Sequence, residues 1–134
     1  MTISDIRNGI ETNLETISGL RAYSEIPDNP SFPAAIVVLN TVDYDQAFQR
    51  GLTQYNFTVS VVVGRASERA AQERLNLYAS NTGDKSIKTA VESDKTLSGS
   101  AYDVRVVSMN SIGAVELNAT TYIGMDYTVT VYAN

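Results

Sequence analysis

The 134-residue chain contains no cysteine and no histidine. Without cysteine there is no disulfide scaffold and no thiol nucleophile. Without either residue there is no zinc finger, and without histidine no Ser-His-Asp triad. Most redox and metal-based catalysis goes with them. Basic residues are also scarce: ten against fifteen acidic ones give a net charge of -5 and a pI near 4.6. A protein that grips phosphates directly shows the opposite sign. Long apolar runs are missing too. The longest, Ala34-Ala35-Ile36-Val37-Val38-Leu39, is far too short to cross a bilayer. Met1-Thr2-Ile3-Ser4-Asp5 lacks the basic and apolar regions of a signal peptide. The expected compartment is therefore reducing and cytoplasmic.

What is present is an ordinary globular balance, 43% hydrophobic and 19% charged. At 14.5 kDa it predicts one domain over residues 1–134. Ile3, Ile6, Ile10, Leu14 and Ile17 fall within about 80° of arc when wound as a helix. Arg7, Glu11 and Glu15 lie opposite them. Thr2 or Ser4 is placed to cap this helix and Gly19 to end it. The single narrow stripe predicts a helix lying across one sheet.

Leu20 to Ser24 reads as a short strand. All three prolines then fall at 27, 30 and 33, a stiff extended connector. The apolar run at 34–39 predicts a strand buried on both faces. A polar segment with two aromatics, 40–51, separates it from a clean alternation at 52–63. There Tyr55, Phe57, Val59, Val61 and Val63 point one way and Gln54, Asn56, Thr58 and Ser60 the other. A second helix is predicted over 66–80, with Ser67 as a cap. Leu77, Ala70, Tyr78, Ala71 and Leu75 spread over about 160° of its wheel, and Arg74 falls inside that arc. Such an arginine either snorkels from the edge or makes an interface ion pair. Asp84 is placed to cap a third helix at 85–93. A strand at 102–109, a turn at Asn110-Ser111-Ile112-Gly113, an extended piece at 114–117 and a long strand at 120–132 complete the pattern. In the last, Thr121, Ile123, Met125, Tyr127, Val129 and Val131 share one side. Tyr122, Gly124, Asp126, Thr128, Thr130 and Tyr132 share the other. This order predicts a two-layer α+β domain. Its mostly antiparallel or mixed sheet carries helices on one face and leaves a Thr/Tyr-rich face half exposed.

Chemistry is harder to find. Asp43 and Asp45 are two carboxylates in reach of one cation, but no third carboxylate follows at calcium-loop spacing. They read as turn-forming aspartates. Gly64 stands between a strand and a helix, yet the phosphate-binding glycine patterns are absent. Ser86 and Lys88 have no supporting context for nucleophilic catalysis. The dispersed arginines outline no nucleic-acid surface. The segment 40–51 is the candidate contact. Tyr44 and Phe48 are aromatics able to anchor an interface, with Asp43, Asp45 and Arg50 as orienting charges. The alternative is that both aromatics fold back onto the core. Arg74 is the further interface candidate.

Two segments, Asp43-Tyr44-Asp45-Gln46-Ala47-Phe48-Gln49-Arg50-Gly51 and Val63-Gly64-Arg65-Ala66-Ser67-Glu68-Arg69-Ala70-Ala71-Gln72-Glu73-Arg74-Leu75, resemble tail terminator proteins of long-tailed bacteriophages, those of actinobacteria above all. The resemblance extends over nearly the whole chain. It implies an α+β subunit of a ring, hexameric in this family, that caps the head-proximal end of the tail tube and stops its polymerisation. The implied partners are copies of itself, the major tail tube protein and the head-closure or connector protein. DNA would pass through the lumen without specific binding, so an acid-lined lumen is favoured. The implied location is the tail or neck of the virion, after synthesis in the bacterial host's cytoplasm. No cofactor, metal, membrane or catalytic residue is implied. Two other readings stand beside it: a head-closure or stopper ring of the neck, and an α+β domain that binds a small molecule.

Overall fold

A computed structural model of the chain describes residues 3–17, 20–23, 33–44, 52–65, 69–80, 83, 85–97, 99, 101–117 and 120–133. The elements are α1 (Ile3–Leu14), β1 (Arg21–Tyr23), β2 (Ala34–Asp43), β3 (Thr53–Arg65), α2 (Arg69–Ala79), α3 (Ile87–Val91), β4 (Asp103–Leu117) and β5 (Thr120–Ala133). Among the described residues the strands form one open sheet in the order β1-β2-β3-β5-β4. β1 runs parallel to β2, and every other pairing is antiparallel. The fold is the α+β arrangement expected, with a mixed sheet and helices packed against it.

The period of two along each strand decides which face is dry. Phe57, Val59, Val61 and Val63 of β3 and Val129 and Val131 of β5 are fully buried. The α1 stripe of Ile6, Ile10 and Leu14 packs into the same core, together with Tyr78 of α2 and Ile87 and Val91 of α3. One polar residue joins them. Asn13 is buried, and its Nδ2 donates to the carbonyls of Val91 (2.9 Å) and Asp94 (3.2 Å). The Val91 carbonyl is one that the end of α3 leaves without a helical partner, while the Asp94 carbonyl, in the following turn, also accepts from the Leu97 N–H at 3.1 Å. On the far side of the core the Tyr127 hydroxyl donates to the Tyr78 carbonyl at 2.9 Å, tying α2 to β5.

Several element boundaries differ from the sequence expectation. β2 does not stop at Leu39. Leu39 faces Phe57 and Thr41 faces Asn56, so Asn40 is an extra residue, a β-bulge, and the strand continues to Asp43. The bulge resets the alternation so that Val42 returns to the inner face. The connection to β3 is correspondingly shorter than 40–51. β4 is likewise a single strand. Its pairing with β5 has two irregularities: Val107 is extra between the pairs Val106–Val129 and Ser108–Thr128, and in the expected turn at 110–113 Ser111 and Ile112 are extra between Asn110–Asp126 and Gly113–Gly124. α3 is shorter than 85–93, and Ser86 caps it, its Oγ accepting from the Thr89 N–H at 3.2 Å. α2 rests on Leu75 and Tyr78, one turn apart, which leaves Leu77 of the predicted apolar arc 52% exposed. Thr2, Gly19, Ser67, Asp84 and most of the proline connector lie outside the described residues.

Candidate interaction surface

The face of the sheet turned away from the helices is a plane of amides and hydroxyls. Gln54, Asn56, Thr58 and Ser60 of β3 stand beside Tyr132, Thr130, Thr128 and Asp126 of β5. Most are half-buried. Several are joined to one another by side-chain hydrogen bonds. Asn56 is the hub: its Nδ2 donates to Thr41 Oγ1 (2.7 Å) and Asp43 Oδ2 (3.0 Å). Its Oδ1 accepts from Gln54 Nε2 (3.0 Å) and Thr130 Oγ1 (3.2 Å). Asn40 donates to Thr58, and Ser60 Oγ donates to Asp126 at 2.8 Å. A network satisfied internally holds its side chains in fixed rotamers. The face is therefore polar and pre-ordered.

A charged cluster occupies the β4 side of the molecule. Lys88 and Glu92 of the α3 region, Lys95, Arg105, Val106 and Val107 line an open concavity of about 390 Å³. Glu92 Oε2 accepts from Lys88 Nζ at 2.7 Å and from the Val106 backbone N–H at 2.9 Å. Partial burial raises the Glu92 carboxyl. The hydrogen bonds from Lys88 and Val106 and the charges of Lys88 and Lys95 outweigh that, and it titrates below the usual carboxylate range. Asp103 is shared by Lys95 (3.9 Å) and Arg105 (3.4 Å), in two exposed pairs that stabilise little. Two cations thus share one carboxylate.

Of the interface residues singled out in the sequence, Asp43, Tyr44 and Arg74 are described, and Arg74 stands apart from the other two. Asp43 ends β2 instead of lying in a loop, because the bulge at Asn40 and the bond from Asn56 carry the strand that far. Tyr44 follows it and is 72% exposed, so it does not fold into the core. Asp45, Phe48 and Arg50 lie outside the described residues. Arg74 is exposed on α2, against the helix-covered face, where its charge opposes the rise that burial imposes on the Tyr78 hydroxyl. It takes no part in the Asp43 network. Sequence reasoning missed Glu92, Lys95, Asp103 and Arg105. The spacing of Lys88 and Glu92, one helical turn, was the one signal available; the reach of Glu92 to Val106 across 14 residues was not readable. Among the described residues no three His, Cys, Asp or Glu side chains gather as a metal site, and no helix is long and apolar enough to cross a membrane. No protein-family model and no curated protein matches this chain.

Proposed function

We propose that the chain is a structural subunit that associates with copies of itself, in the ring that caps a phage tail tube and joins it to the head. One observation supports the self-associating part. Among the described residues the sheet has an uncovered, pre-ordered polar face, β4 pairs only with β5, and β2 has no outer partner beyond Ile36. A subunit with two different contact surfaces forms head-to-tail assemblies that close into rings when the rotation allows. The phage setting rests on the resemblance of the 43–51 and 63–75 segments to tail terminators. Copies of the chain, the tube protein and a head-side connector are the partners proposed, with a virion location and no catalytic role. The concavity at Lys88 and Arg105 gives a small-molecule reading less support, because its charged groups already engage one another.

The test is assembly of the cognate tube protein with and without this chain. Tubes of limited length, ended by a ring visible in electron micrographs, are expected. Tubes of unchanged length, and virions whose necks lack the chain, would overturn the reading. So would tight, salt-sensitive binding of the assembled ring to duplex DNA.

A further inference from the structure

Residues 110–124 contain a single charged side chain, that of Glu116. They form the far end of the β4–β5 hairpin. From Arg105 to Tyr122 no described residue is buried, and Ile112 is 55% exposed. A Cβ added at Gly113 would meet nothing within 4 Å. The last pair that β3 makes with β5 is Arg65–Tyr122, and among the described residues only β4 and β5 continue past it. The end of the hairpin is therefore an arm. A two-stranded ribbon by itself is marginal in water, so the arm gains stability from being covered.

We propose that the arm of one copy of this chain seats in the charged concavity of another, with Glu116 between Lys95 and Arg105. The inference deepens the self-association reading above and takes its phage setting from it.

Charge selects the occupant. Glu92 is the one described carboxylate lining the concavity, and Lys88 and the Val106 N–H already engage it. Lys95 and Arg105 share Asp103, at 3.9 and 3.4 Å. Three cations thus stand with two carboxylates, in a chain whose net charge is -5. One further carboxylate balances the cluster. Glu116 is exposed and makes no ion pair among the described residues. No cation lies within 110–124, so the arm brings none with it. By the period of two, Ala114 shares the Glu116 side of the arm. Val107, 63% exposed and also lining the concavity, gives such a side chain an apolar surface. The bond from Val106 to Glu92 stays in place.

Distance makes the contact intermolecular. Val106 and Glu116 pair with Val129 and Thr121, eight residues apart along β5. At about 3.4 Å per residue, Glu116 stands about 27 Å from the concavity of its own chain. Pairing as far as Leu117–Thr120 holds it there. Only another copy's arm can fill the site. Every copy carries both halves of the contact on separate surfaces, as head-to-tail closure of a ring requires.

The experiment exploits a chain without cysteine. Glu116→Cys and Val107→Cys together in the full chain should give, under mild oxidation, a ladder of disulfide-linked oligomers on a non-reducing gel. A disulfide needs Cα atoms within about 7 Å, so the two cysteines of one copy cannot join. Glu116→Cys with Leu77→Cys, on the exposed side of α2, should give no ladder and controls for chance collision. Sedimentation velocity over a range of concentrations supplies the reversible measurement, and thermal melts check that each variant is folded. Glu116→Lys and Arg105→Glu should each raise the concentration for half-association by about tenfold or more, and the two together should recover most of that loss. The proposal is overturned if wild type stays monomeric up to its solubility limit. It is equally overturned if the ladder is no stronger than the control's, or if the reversed pair does not rescue. Glu116→Lys rings that cap tubes normally refute this contact and leave the functional reading standing. Ladders and rescue in a chain that fails to limit tube length do the reverse.

Discussion

The backbone of Gly9 in α1 lies so close to Leu97 that a Cβ on the glycine would stand 2.7 Å from the Cβ of Leu97. Leu97 is itself buried and held at a φ of 50°, a left-handed conformation that costs a leucine on the order of 1–2 kcal/mol. The helix and the turn after α3 are thus pressed together at one point. The contact is with a Cβ, not the flexible end of a side chain, so something must shift if α1 gains a methyl there.

Gly9→Ala should therefore destabilise the fold by about 1–3 kcal/mol, although alanine favours an isolated helix by about 1 kcal/mol. Urea unfolding of the two proteins measures the difference. Equal or greater stability of the variant would mean that α1 is not seated against Leu97 as described.

Asn13 carries the second prediction. Its Nδ2 serves the carbonyls of Val91 and Asp94. Asn13→Ala leaves them without that donor and should cost about 1–3 kcal/mol. Asn13→Asp should cost more at neutral pH, because a carboxylate would face two carbonyl oxygens. An aspartate variant more stable than the alanine one would contradict the assignment of the amide.

Glu92 and Glu11 should move stability in opposite directions with pH. The Glu92 carboxyl is lowered in the folded state. Its contribution is present above the unfolded carboxylate range and is lost as pH falls through the folded value. The deficit of Glu92→Gln should therefore be present at pH 7 and shrink below about pH 4. The Glu11 carboxyl is raised, by burial first, with Glu15 adding to the rise and Arg7 opposing it. Its Oε1 is buried with no hydrogen-bond partner among the described residues. Folding disfavours its ionised form, a cost present at neutral pH and relieved in acid. Glu11→Gln should be more stable than wild type at pH 7, with the advantage gone near pH 3. Denaturant titrations at the two pH values decide both, and parallel offsets would refute them.

Tyr127 should titrate last. Burial first, and then Tyr78, push its hydroxyl well above the ordinary tyrosine value. A group favoured neutral in the folded state contributes stability that is full below about pH 10 and falls as pH rises beyond it. Of the eight tyrosines, Tyr127 should resist ionisation until the fold opens in alkali, as followed by ultraviolet absorbance. Tyr127→Phe should remove that late step and cost about 1–2 kcal/mol, since the Tyr78 carbonyl loses its buried donor. A late step that survives the substitution would assign it elsewhere.

Much of this molecule is legible without coordinates, and the reason is local. A stripe at Ile6, Ile10 and Leu14 has one energetically sensible use, burial along one side of a helix. The alternation from Tyr55 to Val63 has one use as well, a strand with one dry face. Both depend on spacing that the backbone geometry of α and β structure imposes wherever they fold. The half-exposed threonine and tyrosine face of β5 follows from the same period. These residues determined the α+β class, the orientation of β3 and β5 and the position of the core.

Other features depend on partners far away in the chain, and only the tertiary structure decided them. Asn40 and Val107 are bulges because Phe57, Asn56 and Val129 hold the register around them. Asn110 to Gly113 carries turn residues, yet pairing with β5 stretches it into strand. Glu92 meets Val106, and Asn13 meets Val91, through contacts that no local period encodes. Asp43 belongs to a strand because Asn56 reaches it, while Arg74 of α2 lies on the other side of the sheet. A one-residue insertion costs a strand only a local kink when its neighbours keep the ladder, so the hydrophobic pattern of one segment alone does not reveal where it continues.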